Sequence, residues 1–354
     1  MMNSMAVENL TVAIATPLEP ENVERIRAAH PNVTVLYEPD LLPPERFPAD
    51  HSGDPSFERT AQQEARYWSM LEGANVLYGF PNENAPGLAR IATSQNLQWI
   101  QAMAAGAGGA VKAANLSPEV LSRITITTSS GVHALPLAEF ALMGVFNGFK
   151  RTAELAQDQA NRHWPTLRTP TRLVSNANLV ITGLGEIGME TARLARAVGM
   201  RVSGTKRSVA PIDGINRVTS TTELSDLVST ADAVINTLPG TPYTDKIFST
   251  EIFDAMKPGT VLVNVGRGTV IDEDALLVAL ENGQVSYACL DVFATEPLPT
   301  DSPLWKHPRV MVSPHTSALS TAENRLITDL FIKNLGLFQQ RQPLPHTVDP
   351  VHFY

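Results

Sequence analysis

The 354-residue sequence contains very little cysteine and no excess of positive charge. Cys289 is the single cysteine, so no disulfide can form within the chain. It lies in the apolar run YACLDV, which favours a buried structural thiol over a nucleophile. The formal net charge is −9, from 27 basic and 36 acidic residues, and this argues against non-specific binding to nucleic acid. We therefore expect neither a disulfide scaffold nor a nucleic-acid partner.

The sequence also lacks a long apolar run and a recognisable secretory signal. The most apolar helical stretch, residues 134–149, contains Pro136 and Glu139 and is too short to span a bilayer. Residues 1–10 have no basic stretch followed by an apolar core, which a secretory signal requires. The sequence therefore predicts a cytoplasmic protein with no membrane partner.

What the sequence does contain is a regular alternation of short β-branched runs and helical patterns. The length predicts about two domains, and hydrophobic residues make up 43% of the chain, enough for two cores. Such alternation is typical of parallel sheets in an α/β fold. Residues 40–55 are rich in proline and are expected to form an extended surface loop. The clearest predicted elements are strands over 11–15, 33–37, 75–79, 178–182 and 201–205 and a last long helix over 319–340.

A glycine-rich loop, GLGEIG, directly follows the predicted strand NLVIT and opens an amphipathic helix. In this context the GxGxxG pattern predicts a dinucleotide site, with a ligand-free turn as the alternative. The first glycine would allow the tight turn, the second the approach of a pyrophosphate and the third close packing of helix on strand. N–H groups at the start of the helix would face the phosphates. The predicted contacts are Gly183, Gly185, Glu186, Ile187 and Gly188.

The end of the next strand bears on the choice between NAD and NADP. NAD sites usually have Asp or Glu there, about 20 residues on, to bind the ribose 2′-hydroxyl. This sequence has Lys206, Arg207 and Ser208 instead, and Arg207 lies 19 positions after Gly188. These side chains can bind the 2′-phosphate of NADP, so NADP(H) is the expected cofactor. Arginine also stacks on adenine, so NAD(H) stays possible, and a solvated basic turn is the other alternative.

We predict that this cofactor region forms a domain of its own. A Rossmann-type domain would be inserted into a flavodoxin-like substrate domain, with a helix near His133 leading in and a helix after Ser317 leading back. Residues 1–132 and 317–354 are assigned to the substrate domain and residues 133–316 to the dinucleotide-binding domain.

Three loops after consecutive apolar strands carry residues suited to acid–base chemistry on an anion. Arg267 lies in NVGRG, Glu296 in LDVFATEPLP and His315 in SPHTS. Since ligands of open α/β sheets bind at the carboxyl ends of the strands, these side chains are expected to share one crevice. An arginine can hold a carboxylate and polarise a carbonyl. A histidine can transfer a proton near neutral pH, and a neighbouring carboxylate fixes its tautomer. Singly, each residue also has an ordinary explanation as a loop residue.

These motifs resemble those of the D-isomer-specific 2-hydroxyacid dehydrogenase family, which includes glyoxylate/hydroxypyruvate reductases. The resemblance covers almost the whole chain and is strongest over residues 131–318. It implies that Arg267 binds the substrate carboxylate and carbonyl, that His315 is the general acid/base and that Glu296 pairs with His315. It also implies hydride transfer between NAD(P)H and C2 of a small 2-keto or D-2-hydroxy acid by a homodimeric enzyme, with no metal.

The resemblance implies further contacts. Asp291 matches an aspartate that contacts the nicotinamide carboxamide, and AMAAGAGGA (residues 102–110) matches a loop whose backbone holds the substrate carboxylate. A glycine hinge without ligand is the alternative for that loop. Gly240 stands where leucine is frequent, which leaves its contact open. The other expected cofactor contacts are Leu238, Pro239, Thr244, Val265, Gly266, Arg267 and His315. The expected substrate contacts are Ala105, Gly106, Ala107, Arg267 and His315.

Other functions and the identity of the substrate stay open at this point. A formate dehydrogenase has glutamine in place of Glu296, which argues against that activity. Phosphite oxidation uses a similar set of Arg, Glu and His, so it stays an alternative. A transcriptional corepressor of this fold, which uses the site mainly to sense the cofactor, is another. Phe80 and Met103 are compatible with an apolar substrate group or with core packing. Trp164 is interpreted as part of a dimer arm or of the core.

Overall fold

The computed structural model describes residues 10–351 and residue 353, and the chain divides into two compact units. The first unit comprises the described residues up to His133 together with those from Leu319 onward, and the second is Ala134–Ala318. The division lies one residue from the predicted boundary at 132/133 and two from that at 316/317. The prediction that there is no secretory signal concerns residues 1–10, and residues 1–9 lie outside the described residues.

The strands of both units are short. Within the described residues there are twelve: β1 (Thr11–Ile14), β2 (Thr34–Leu36), β3 (Val76–Tyr78), β4 (Trp99–Gln101), β5 (Thr125–Thr127), β6 (Asn178–Thr182), β7 (Arg201–Thr205), β8 (Arg217–Thr219), β9 (Ala233–Asn236), β10 (Thr260–Asn264), β11 (Val285–Leu290) and β12 (Val310–Val312). All neighbouring strands in the two sheets pair in parallel.

Helices connect most of the parallel strands, as is usual for such pairing, whereas residues 206–216 between β7 and β8 contain no helix. The α-helices of the described residues are α1 (Pro20–Ala29), α2 (Ala61–Glu72), α3 (Ala85–Ile91), α4 (Gly108–Ala113), α5 (Pro118–Arg123), α6 (Ala134–Lys150), α7 (Thr152–Ala160), α8 (Glu186–Ala197), α9 (Leu224–Val228), α10 (Thr250–Ala255), α11 (Glu273–Glu281) and α12 (Glu323–Gln339). None of the helices in the described part of the chain has both the length and the apolarity needed to cross a membrane.

The first unit is a five-stranded sheet of order β2-β1-β3-β4-β5, which is the flavodoxin-like order. The last helix, α12, belongs to its core. Phe331 of α12 stacks on Trp99 with ring centroids 5.1 Å apart and packs edge-on against Tyr78. The returning chain is therefore an integral part of this unit. The helix begins four residues later than predicted, because Ser320 forms a local turn with the N–H groups of Ala322 and Glu323.

The second unit is a seven-stranded sheet of order β12-β11-β10-β9-β6-β7-β8. From β6 the chain runs outward to β8, then returns to β9 on the other side of β6, so the order reverses between β6 and β9. Ligands of open α/β sheets bind at such a reversal, outside the carboxyl ends of the strands. The predicted α/β fold class, with a Rossmann-type sheet and a second parallel sheet, is confirmed.

The single cysteine lies in the core of the second unit. Cys289 is fully buried on β11, against α6. Burial, with a smaller effect of Asp291, raises the pKa of this thiol to about 12, so the sulfur stays protonated and unreactive. The prediction of a buried structural thiol is confirmed.

The proline-rich segment 40–55 is a folded loop with buried residues in both halves, among them Leu41 and Asp50, so the prediction of an extended surface loop is wrong. Asp50 is buried and accepts two hydrogen bonds from the Arg46 side chain, at 2.6 and 3.0 Å. His51 and His133 both contact Oε1 of Glu323, at 3.3 and 3.0 Å. Burial alone would raise the pKa of Glu323, but the contacts with the two histidines outweigh it and lower the pKa to about 2. The loop is thus held by a buried charge at the start of α12.

Candidate active site

The glycine-rich loop leaves β6 with a tight, left-handed turn. Gly183 has φ +96°, a conformation that favours glycine, and its N–H donates to Oγ1 of Thr205 at 3.1 Å. The Leu184 N–H donates to the Thr205 carbonyl at 2.8 Å. The turn is therefore fixed against the end of β7, and α8 begins directly after it at Glu186.

The other two glycines of the motif have different surroundings. A Cβ on Gly188 would lie 2.1 Å from the Gly183 carbonyl oxygen, so this position needs glycine for helix and strand to pack closely. At Gly185 a Cβ would meet no atom within 4 Å. The backbone is open there, in front of the first turn of the 12-residue helix α8. An open backbone at a helix N-terminus fits a pyrophosphate.

The predicted basic turn lies at the carboxyl end of β7, beside the glycine-rich loop. Lys206, Arg207 and Ser208 directly follow the last residue of the strand and are all exposed. The Lys206 N–H donates to the Thr219 carbonyl at 2.9 Å, which fixes the start of the turn. The turn therefore presents two cations and a hydroxyl where a carboxylate would stand in an NAD site.

The loop after β9 is stabilised by hydrogen bonds between Thr244 and other residues of the same loop. The Thr244 hydroxyl donates to the Pro239 carbonyl at 2.6 Å and accepts the Thr241 N–H at 2.9 Å. Leu238 is buried at the start of this loop. A Cβ on Gly240 would lie 3.3 Å from Cβ and Cγ of Arg267. The absence of a side chain at position 240 thus avoids a close contact with the aliphatic part of Arg267.

The loop after β10 carries Arg267 on a closely packed backbone. Val265 is buried, and its N–H donates to the Asn236 carbonyl at 3.1 Å. A Cβ on Gly266 would lie 2.5 Å from the Leu238 carbonyl oxygen, so no larger residue fits there. Arg267 is exposed, and its guanidinium donates to the Gly266 carbonyl at 2.8 Å.

His315 and Glu296 form the pair that the sequence predicts. Nδ1 of His315 lies 2.7 Å from Oε2 of Glu296, and Oε1 of Glu296 accepts the Phe293 N–H at 2.9 Å. The carboxylate is thus fixed by a backbone donor on one oxygen and by the imidazole on the other. Because Nδ1 faces a carboxylate it carries a hydrogen, and Nε2 is the nitrogen left to exchange a proton.

The loop that carries Arg267 packs against the loop that carries Glu296, since a Cβ on Gly268 would lie 1.8 Å from the carbonyl carbon of Phe293. Burial pushes the pKa of Glu296 upward, but the hydrogen bonds from His315 and Phe293 and the charges of His315 and Arg267 outweigh burial. The pKa of Glu296 therefore lies below its ordinary value, and the group is a carboxylate at neutral pH. The structure thus brings Arg267, Glu296 and His315 together within the second unit.

Asp291 holds the loop that carries His315. Its buried carboxylate accepts hydrogen bonds from the Ser313 hydroxyl (2.6 Å), the Thr316 N–H (2.9 Å) and both the N–H and the hydroxyl of Ser317. His315 itself has φ +55°, which is uncommon for a residue with a side chain. Such strain persists only where the surrounding structure enforces it. A contact of Asp291 with a nicotinamide stays a prediction.

The predicted substrate loop belongs to the first unit and follows β4. Ala105 and Gly106 are exposed, and Ala107 is buried directly before α4. A Cβ on Gly106 would meet no atom within 4 Å, so the backbone there is open. Buried Gln101 and Ser129 fix the base of the loop by donating to the Ala102 carbonyl, at 3.1 and 2.8 Å.

Two residues that the sequence analysis does not single out connect the loops after β9 and β10 in the second unit. Asn236 and Asn264 are the fully buried last residues of β9 and β10. Their side chains contact each other, and that of Asn264 also contacts the backbone of Arg267. An asparagine at the end of each of two consecutive apolar strands, in VIN and VLVN, is the signal that could have identified them.

Comparison with known proteins gives a consistent result. Residues 142–317 match the family model of the D-isomer specific 2-hydroxyacid dehydrogenase NAD-binding domain. Glyoxylate/hydroxypyruvate reductase A of Serratia proteamaculans is 36% identical over 187 residues, 53% of this chain and 59% of that protein. The reductase A of Salmonella newport is 28% identical over 263 residues, 73% of this chain and 83% of that protein. The alignment to the Serratia protein thus spans about three fifths of its length.

A solved structure agrees over nearly the whole length. A D-isomer specific 2-hydroxyacid dehydrogenase family protein of Aeromonas salmonicida superimposes with a TM-score of 0.74 at 26% identity. The match covers 96% of this chain and 99% of that one. The shared fold thus includes both units.

Proposed function

Since this chain belongs to the D-isomer-specific 2-hydroxyacid dehydrogenase family, we propose that it is an NAD(P)-dependent reductase of small 2-keto acids. The reverse reaction would be the oxidation of D-2-hydroxy acids. The observation that carries this proposal is the His315–Glu296 pair at 2.7 Å, with the charge of Arg267 acting on the same carboxylate. The relatives named as glyoxylate/hydroxypyruvate reductases support the substrate class.

Arg267 would bind the substrate in this reaction. Its guanidinium is exposed and always charged, and its planar fork matches a carboxylate. A donor aimed at the neighbouring carbonyl oxygen would stabilise the negative charge that develops there during reduction. The resemblance also implies that backbone N–H groups at Ala105 and Gly106 bind a substrate carboxylate, and both residues are exposed in the first unit.

His315 would supply the proton. Glu296 orients its Nδ1, so Nε2 can donate a hydrogen to the carbonyl oxygen as C2 is reduced, or remove it in the reverse direction. The carboxylate also stabilises the cationic imidazolium. The loop that presents His315 is fixed by the buried Asp291, so the ring would need little reorganisation.

The residues present fit a nicotinamide dinucleotide. When bound, NAD(P)H supplies the hydride that reduces C2. The open backbone at Gly185 and the start of α8 would hold the pyrophosphate. Lys206, Arg207 and Ser208 would hold the 2′-phosphate, which favours NADP over NAD. The loops after β9 and β10 would contact the rest of the cofactor, as the resemblance implies for Leu238, Pro239, Thr244, Val265 and Gly266.

Arg207→Asp tests the preference for NADP. We expect the KM for NADPH to rise about 10–100-fold, because a charge-assisted hydrogen bond to phosphate is replaced by repulsion. The KM for NADH should change by less than about threefold. Steady-state kinetics with both reduced cofactors measure this. Arg201→Asp, at the exposed amino end of the same strand, is the control and should affect neither. An equal rise for both cofactors would refute the 2′-phosphate assignment.

Glu296→Gln tests the role of the carboxylate. Glutamine can still accept from Nδ1 but carries no charge, so we expect kcat to fall about tenfold at neutral pH. Because the pKa of Glu296 lies below its ordinary value, the wild type should keep its advantage as the pH falls into the range where an unperturbed glutamate is protonated. Below that, protonation of Glu296 should remove it. The ratio of the two kcat values across pH measures this, and a ratio that closes near pH 6 would contradict it.

We also propose that the chain forms a homodimer. The segment after α6 exposes large apolar side chains, and Trp164 is 88% exposed, so its interpretation as a core residue is wrong. Single exposed apolar residues are common on any protein, but several large ones along one segment favour a surface that a partner covers. The mass in solution tests this proposal. The exposed side chains are Leu155, Trp164, Leu167 and Leu173. A cytoplasmic location stays a prediction from the sequence.

A further inference from the structure

Three buried polar side chains form a row across the middle of the seven-stranded sheet. Thr182, Asn236 and Asn264 are the last residues of β6, β9 and β10, and each has a relative exposure of 0%. β9 lies between the other two strands. Buried polar groups are costly unless they are hydrogen-bonded. A row of them at the ligand end of the sheet therefore needs an explanation.

Every bond in the row runs from donor to acceptor towards Arg267. The Thr182 hydroxyl donates to Oδ1 of Asn236 at 2.8 Å. Nδ2 of Asn236 donates to Oδ1 of Asn264 at 2.8 Å. Nδ2 of Asn264 then donates to the backbone carbonyl of Arg267 at 3.1 Å. The row thus starts at the strand that leads into the glycine-rich loop and ends at the arginine.

The backbone fixes the direction of both asparagine side chains. Oδ1 of Asn236 accepts the Leu238 N–H at 3.2 Å, and Oδ1 of Asn264 accepts the Gly266 N–H at 3.1 Å. These contacts identify Oδ1 as the acceptor and Nδ2 as the donor in each amide. They also bend the chain directly after each strand, as asparagine does in turns.

We propose that Asn264, supported by Asn236, is a positioning residue that holds the Arg267 loop in register with the cofactor loops of the same sheet. This inference rests on the proposed function, because it takes Arg267 as the substrate-binding arginine. The Arg267 carbonyl is the group that Asn264 holds, so the side chain starts from a fixed backbone. Loss of the Nδ2 donor should therefore weaken keto-acid binding and turnover more than cofactor binding.

Asn264→Asp tests this proposal, since it replaces the donor by an oxygen with almost no change of shape. As a carboxylate, the new side chain cannot donate to the Arg267 carbonyl and repels it. At about pH 8 we expect kcat/KM for the keto acid to fall about tenfold or more, with the Kd of NADPH changed less than about twofold. Protonation restores an O–H donor, so the ratio of variant to wild-type kcat/KM should recover as the pH is lowered.

Two further variants separate positioning from stability. Asn178→Asp makes the same change at the opposite end of β6, where the amide donates to the Thr230 carbonyl, and should show no pH-dependent deficit. Asn264→Leu lacks both donor and acceptor, so its deficit should not recover in acid; thermal unfolding is measured for each variant.

The possible outcomes are distinct. Wild-type kinetics of Asn264→Asp at every pH, or a deficit as insensitive to pH as that of Asn264→Leu, would overturn the positioning role. If the wild type reduces no keto acid, the proposed function fails, and this inference fails with it.

Discussion

We expect His315→Ala to lower kcat for keto-acid reduction about 10²–10⁴-fold, the usual contribution of a general acid. The Kd of NADPH should change by less than about threefold. Glu296 binds Nδ1 of His315 at 2.7 Å, which leaves Nε2 for proton transfer. The proposed phosphate contacts lie in other loops, so loss of the ring should affect cofactor binding little. Steady-state turnover and a fluorescence titration with NADPH measure the two quantities.

A second histidine of the same unit serves as the control. His163 is exposed and pairs with Asp158, so its removal should leave kcat within about twofold of the wild type. Equal losses of turnover and cofactor affinity in His315→Ala would contradict the acid/base role. Such a result would indicate that the histidine supports the loop around Asp291 instead.

We expect Arg267→Gln to lower kcat/KM for the keto acid about 10²–10³-fold, the effect commonly seen when a preorganised donor to a developing oxyanion is lost. Glutamine is uncharged and lacks the fork that binds a carboxylate. Both KM and kcat should change, because the same guanidinium would hold the carboxylate and polarise the carbonyl. Initial rates over a range of keto-acid concentrations, at saturating NADPH, measure both constants.

The matched control for this variant is Arg193→Gln. Arg193 lies on α8 in the same unit and pairs with Glu190 at the surface, so its replacement should leave kcat/KM unchanged. If kcat/KM of Arg267→Gln fell by less than about tenfold, another group would have to bind the carboxylate.

Much of the site could be predicted because its functional residues lie in loops that follow short apolar strands. Arg267 and His315 lie within three residues of β10 and β12, so the parallel order of the strands alone places them at one edge of the sheet. The glycine-rich loop could be predicted for a similar reason. The tight turn at position 183 and the close packing at position 188 both require glycine.

Other features depend on partners that are distant in sequence. β5 and β8 have three residues each, too few for a periodic pattern, and they are strands because a neighbouring strand pairs with them. The burial of Asp50 and the contact of His51 with Glu323, 272 positions away, have no local signal. The same holds for Asp291, whose carboxylate satisfies donors from a loop more than 20 residues on. Tertiary contacts decide such roles, and local pattern does not.

The most direct test of the account is the oxidation of NADPH by the wild type with glyoxylate, hydroxypyruvate and phenylpyruvate, compared with His315→Ala. We predict that at least one of these acids is reduced to its 2-hydroxy acid, the D isomer where C2 becomes a stereocentre, with equimolar loss of NADPH. The variant should bind NADPH but barely turn over. Binding of NADPH without turnover of any keto acid by the wild type would contradict the account. It would favour a protein that senses the cofactor.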